Sequence, residues 1–175
     1  MATADPQPRG SWNLDEAVAH RWWTSDLDTT FRNDWPVADR LNGQYTVLND
    51  QVARPVPPGP YCVYERSIPI VVGHMSSATA VGRENQLQDI TIQFRIHAKS
   101  KAATATDPAE SGKSVCIRLA KKVAEVYDPD TQPWTIYDDS ILQVWREPDF
   151  HVREGEDEWV WVMQYRVELD SEYLL

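Results

Sequence analysis

Apolar and polar residues alternate strictly along the back half of the chain. Over Asp89–Ala98, Ile90, Ile92, Phe94 and Ile96 share one face, and Thr91, Gln93, Arg95 and His97 share the other. Over Glu158–Leu169, Trp159, Trp161, Met163, Tyr165, Val167 and Leu169 line up in the same way. A period of two over such lengths predicts strands with one side on a core and the other facing water or a partner. Tyr61–Arg66 predicts a third strand. Ile68–Val72 is a short apolar continuation broken by Pro69, which belongs at an edge or a bulge because proline cannot donate to a ladder. Gly73–Gln88 reads as a loop. Ser140–Arg146 and Asp149–Arg153 predict a further strand bent at Pro148, and Glu154-Gly155-Glu156-Asp157 turns it back into the Trp159 strand as a hairpin.

Two helices are expected. Asn13 with Glu16 forms a capping box, which starts a helix at Leu14. Leu14, Ala17, Val18 and Trp22 make one apolar stripe, while Trp23, Leu27 and Phe31 make another on the opposite side. Either this helix breaks near Thr24–Asp26 or it is covered on two sides, the second by a neighbouring subunit. Pro36 ends it, and Pro55, Pro57, Pro58 and Pro60 force an extended path to the first strand. The second helix runs over Asp107–Tyr127, with Asp107 as cap and Pro108 as its first residue. Gly112 weakens its start, and Cys116, Leu119, Ala120, Val123 and Tyr127 form its buried stripe. The fold class is α+β: a largely antiparallel sheet with two helices on one face. Residues 1–12 read as a flexible arm and residues 13–175 as one domain.

Composition narrows function mainly by exclusion. The net charge of −10 argues against holding nucleic acid by its phosphates. Eight tryptophans in 175 residues suit cores and protein interfaces alike. Cys62 and Cys116 read as buried and reduced, since no signal peptide is seen. No apolar run approaches membrane-spanning length. His20, His74, His97 and His151 are scattered in sequence, so no metal or cofactor is expected, and His97 reads as a solvated residue. Ser111-Gly112-Lys113-Ser114 echoes a phosphate loop but lacks its first glycine and a preceding strand. The acidic turn at Glu154, Glu156, Asp157 and Glu158 is too exposed for acid–base chemistry.

The order of these elements resembles the tail terminator, or tail-completion, proteins of long-tailed bacteriophages. The segments that carry the resemblance are Trp35-Pro36-Val37, the RPVPPGPYCVYE lead-in at 54–65, DITIQFRIHA at 89–98, GKSVCIRLAKKVAEVYD at 112–128 and WVWVMQYRVEL at 159–169. The chain departs from that pattern by an extended N-terminal arm and a longer Gln44–Pro60 segment. The resemblance implies a structural virion subunit of the tail or neck. It would assemble with itself as a six-fold ring, cap the tail-tube protein and meet head–tail connector proteins, with DNA passing through unbound. On that reading the expected subunit interface is Ile68, Ile70, Val71 and Val72 with the Trp22–Trp23 helix, and the expected channel rim is Glu154, Glu156, Asp157 and Glu158. Two other readings compete: a small-molecule-binding or enzymatic domain with a pocket between helix and sheet, and an acidic inhibitor of a basic enzyme.

Overall fold

The structure, a computed structural model, describes residues 11–41, 45–49, 55–68, 70–76, 83–105, 108–130 and 141–174. The expected arm lies outside them up to residue 10. Residues 11 and 12 belong instead to the first helix, α1 (Ser11–Thr24), so Asn13 is not its cap but sits inside its first turn. The chain breaks where the two apolar stripes diverge: α1 stops at Thr24 and α2 (Leu27–Arg32) starts afresh. The break lets Leu14, Val18 and Trp22 from one segment and Leu27 and Phe31 from the other reach the same core. Among the described residues there are thus three α-helices where two were expected. Pro36 is not the stop signal either, because α2 has already ended at Arg32 and capped on Asn33.

The third helix, α3 (Gly112–Tyr127), starts four residues after Pro108, the first helical position its sequence signal gives, in line with the weak start expected at Gly112; Asp107 itself lies outside the described residues. Glu110 exchanges both backbone hydrogen bonds with Lys101, at 2.7 and 3.1 Å, which holds it in a bridge rather than a helix. Ser111 then caps, its Oγ accepting from the Ser114 N–H at 3.2 Å. Gly112 is needed for close packing: a Cβ there would lie 2.8 Å from the Ala98 carbonyl oxygen and 3.0 Å from the Trp159 ring. The expected stripe of Cys116, Leu119, Ala120, Val123 and Tyr127 is buried.

The sheet is built on two 17-residue antiparallel strands, β4 (Arg83–Lys99) and β7 (Glu158–Leu174), paired from Arg83↔Leu174 to Lys99↔Glu158. β2 (Tyr61–Arg66) and β3 (Ile70–Ser76) share the other edge of β4 end to end. β5 (Ile141–Arg146) and β6 (Phe150–Glu154) share the other edge of β7, separated around Pro148 as expected. A short strand, β1 (Val47–Asn49), adds in parallel to β2. The expected loop Gly73–Gln88 is largely strand: β3 runs to Ser76 and β4 begins at Arg83. Residues 83–88 lack alternation, but ladder pairing along β4 satisfies their backbone groups regardless.

The three helices pack on one face. Ile90, Ile92, Phe94 and Ile96 of β4 and Met163, Tyr165, Val167 and Leu169 of β7 form one core with Cys62, Tyr64 and the helical stripes. Phe94 lies at its centre, its ring 4.6 Å from Tyr127, 5.7 Å from Tyr64 and 5.9 Å edge-on from Tyr165. Polar ties hold the helices in place. The Tyr127 hydroxyl donates to the Val18 carbonyl at 2.6 Å, and Asp15 accepts from the Tyr64 hydroxyl at 2.6 Å and from Arg66 Nε at 2.8 Å. Both cysteines are free and buried, as read from sequence.

Candidate functional site

The proline-bearing segment leads into an exposed apolar edge. Ile68 is 85% exposed, Ile70 64%, Val71 44% and Val72 51%, so four aliphatic positions within five residues face solvent. Among the described residues β3 pairs only with β4, which leaves its outer backbone edge open, and the register slips between Val71 and Gly73 as at a bulge. An open strand edge with apolar side chains is a template for another chain. The first helix contributes less to this surface than its sequence implies. Trp22 is a core residue rather than a surface one: it is 1% exposed, its ring lies 5.3 Å from Phe31, and its Nε1 donates to Thr46 Oγ1 at 3.3 Å. Trp23 remains outside, packed edge-on to Tyr45 at 5.4 Å.

A cavity of about 990 Å³ opens at the end of the sheet, between the segment after α2, the proline lead-in and the start of α3. Trp35 forms one wall. It is buried, its Nε1 donates to the Pro60 carbonyl at 2.8 Å, and its ring rests on Gly59, where a Cβ would come within 2.4 Å. On another side Asp34 accepts from both Lys101 and Arg118, and Arg118 also reaches Glu110 at 2.9 Å. The Glu110 hydrogen bond, ahead of the Asp34 charge, holds the Arg118 guanidinium above its ordinary pKa. Tyr61, His97 and Glu158 line the same cavity.

His97 does not stand in solvent. It is 8% exposed, stacked flat on Tyr61 with ring centroids 4.6 Å apart, and its Nδ1 lies 3.1 Å from Glu158 Oε1. Its Nε2 is buried with no hydrogen-bond partner among the described residues. Glu154 belongs to the same group: one ligand atom from each of His97, Glu154 and Glu158 falls within 4.8 Å of the others. Burial, followed by the Glu158 and Glu154 charges, pushes the Tyr61 phenol up to about 12. The histidines that look scattered in sequence therefore include one drawn into a carboxylate pair. The missing information was register. Alternation places His97 and Glu158 on outward faces, but only the β4–β7 ladder, with His97 opposite Val160, brings them two residues apart.

The acidic turn divides. Glu154, Glu156 and Asp157 are exposed around Gly155, whose φ of +73° suits the hairpin turn. Arg153 donates back to the Glu156 carbonyl. Glu158 is half-buried and faces His97 rather than open solvent. No family model matches the chain, and no curated protein matches it significantly.

Proposed function

We propose that this protein is a structural virion subunit that assembles as a six-fold ring on the end of a phage tail tube and joins it to the head through connector proteins. The observation that supports this reading best is the exposed apolar edge at Ile68, Ile70, Val71 and Val72, beside the open backbone of β3. A neighbouring subunit covering that edge would bury aliphatic area and close the strand without letting the sheet extend indefinitely. Trp23 is the other exposed large residue of the expected interface. The acidic charge fits a conduit from which DNA is repelled rather than held. The role is structural, with no catalytic residue, and its site of action is the tail or neck.

The test is native mass together with binding to tail-tube ends seen in electron micrographs. The ring is expected at about 121 kDa, six times the 20.1 kDa chain, alone or once tubes are added. Ile70→Asp with Val72→Asp should leave the circular dichroism spectrum intact and abolish both assembly and tube capping. Wild-type protein that stays monomeric and ignores tube ends ends the proposal.

One observation favours the alternative of a small-molecule-binding or enzymatic domain, namely the cavity at the sheet's end. It lies beside the proline lead-in and the start of α3 instead of between helix and sheet, where that reading expected a pocket.

A further inference from the structure

We infer that the cavity at the sheet's end binds a small organic anion, its carboxylate or phosphate set on Arg40 and its apolar body lying against Trp35, Val37 and Val56. The charges on the wall carry the assignment. The three carboxylates among the described lining residues are already engaged. Asp34 accepts from Lys101 and Arg118, Glu110 accepts from Arg118 at 2.9 Å, and Glu158 lies 3.1 Å from His97 Nδ1. Two cations of the same wall, Arg40 and Lys99, have no carboxylate of the described residues within ion-pair distance. Lys99 is exposed, and water serves its ammonium. Arg40 differs, because it is half-buried and held in place. Its Nε donates to the Trp35 carbonyl at 3.1 Å and its Nη2 to the Asn33 carbonyl at 2.8 Å. Those carbonyls fix the plane of the guanidinium without neutralising it, and drawing a charge out of water without a counter-ion is costly. A fixed fork with N–H groups and charge left over suits the paired oxygens of a carboxylate or phosphate.

The rest of the wall says what the anion is attached to. Val37 is 77% exposed and Val56 70%, and both line the cavity beside the buried Trp35. An occupant that covers them removes aliphatic area from water, which a bare inorganic ion cannot do. The volume of about 990 Å³ lies at the upper end of the range for ligand pockets. Trp35 makes the wall rigid, since its Nε1 is bonded to the Pro60 carbonyl and its ring rests on Gly59. The cavity's shape is therefore present before a ligand arrives, which lowers the cost of binding. The site uses neither the β3 edge nor Trp23, so it stands independently of the ring reading.

The experiment is equilibrium dialysis of the full-length protein against phenylacetate and phenyl phosphate. Benzyl alcohol is the neutral probe, and acetate and inorganic phosphate are the anions without a body. One site per chain is expected, holding phenylacetate or phenyl phosphate roughly tenfold or more tighter than benzyl alcohol and than the matching bare anion. Whichever aromatic anion is preferred identifies the head group. Arg40→Gln should weaken binding roughly tenfold, and Lys99→Gln, at an exposed position, roughly threefold. Lys121→Gln, exposed on α3 and not part of the cavity wall, should leave it unchanged. Circular dichroism checks that Arg40→Gln folds; if it does not, the comparison of Lys99→Gln with Lys121→Gln decides. The assignment is overturned if neither aromatic anion binds saturably, or if benzyl alcohol or the bare anion binds as tightly. Wild-type affinity in a folded Arg40→Gln protein overturns it too, as do equal affinities for Lys99→Gln and Lys121→Gln.

Discussion

Phe94→Ala tests whether the helices and the sheet share one core. Phe94 is fully buried and touches three aromatic rings at 4.6, 5.7 and 5.9 Å. Truncating a buried phenylalanine costs about 3–5 kcal/mol, with the upper end reached where the site cannot collapse. Collapse is hindered here because the neighbours are tethered: Tyr127 by its bond to the Val18 carbonyl, Tyr64 by its bond to Asp15. A loss of roughly 4 kcal/mol in a chain of this length lowers Tm by some 8–16 °C, at 2–4 °C per kcal/mol. The assay is thermal unfolding by circular dichroism at fixed protein concentration, since any assembly makes Tm concentration-dependent. Phe150→Ala, on the helix-free face and half exposed, is the control and should cost less than about 1 kcal/mol. A Tm for Phe94→Ala within about 2 °C of wild type, or a control that costs as much, would refute the packing argument.

Other outcomes follow from particular contacts. Gly112→Ala should destabilise by about 1–3 kcal/mol, because its methyl meets the Ala98 carbonyl; an unchanged chemical-denaturation midpoint would show that α3 can slide away. Asp15→Asn weakens the tie to Tyr64 and Arg66 and should cost about 1–3 kcal/mol, read from the same denaturation curves. Burial, as the leading cause, raises the Tyr64, Tyr127 and Tyr165 phenols above their ordinary pKa of 10.0. A raised folded pKa contributes stability that is complete below pH 10 and is lost as pH climbs above it. Phenolate absorbance from these three should therefore appear together with unfolding, and their titration near pH 10 in protein that keeps its circular dichroism would contradict the burial. Cys62 and Cys116 are buried, and burial pushes the Cys116 thiol up to about 12. Both should resist a thiol reagent until denaturant is added, and rapid native labelling would show the helix–sheet seam to be open.

The alternating stretches were readable because a single rule governs them. Ile90 to Ile96 and Trp159 to Leu169 each need one apolar face, and the period shows it directly. The strand ends were not, because Arg83–Gln88 and Asp170–Leu174 become strand through partners on both sides rather than through their own pattern. The start of α3 was misplaced for a related reason: Asp107-Pro108 is a good local cap, but the Lys101–Glu110 bridge, made by residues nine apart, overrides it. Trp22 lies on the Leu14–Val18 stripe that the core takes, whereas the break after Thr24 turns Leu27 and Phe31 of the second stripe into the core and leaves Trp23 outside. His97 with Glu154 and Glu158 was invisible for want of register, which three strands must supply at once.

The placement of exposed apolar area bears on which functional reading is stronger. A domain built around a pocket would concentrate its aromatic residues there, yet Trp22, Phe31, Phe94, Tyr127 and Tyr165 are all spent on the helix–sheet core. Of the tryptophans, tyrosines and phenylalanines, the cavity receives only Trp35 and Tyr61, and the ion pairs around Asp34 lie on one side of it. Exposed aliphatic residues also stand at Val37, Leu41, Val56 and Leu142, but Ile70, Val71 and Val72 follow one another on β3, which among the described residues pairs only with β4, and Ile68 lies just before them. Burying such an edge against a second chain removes area from water at about 25 cal/mol per Å², a gain that no small ligand in the cavity could collect from that surface. Exposed aliphatic residues at a strand edge carry an aggregation hazard unless something covers them, so their concentration there argues for a protein partner over a metabolite.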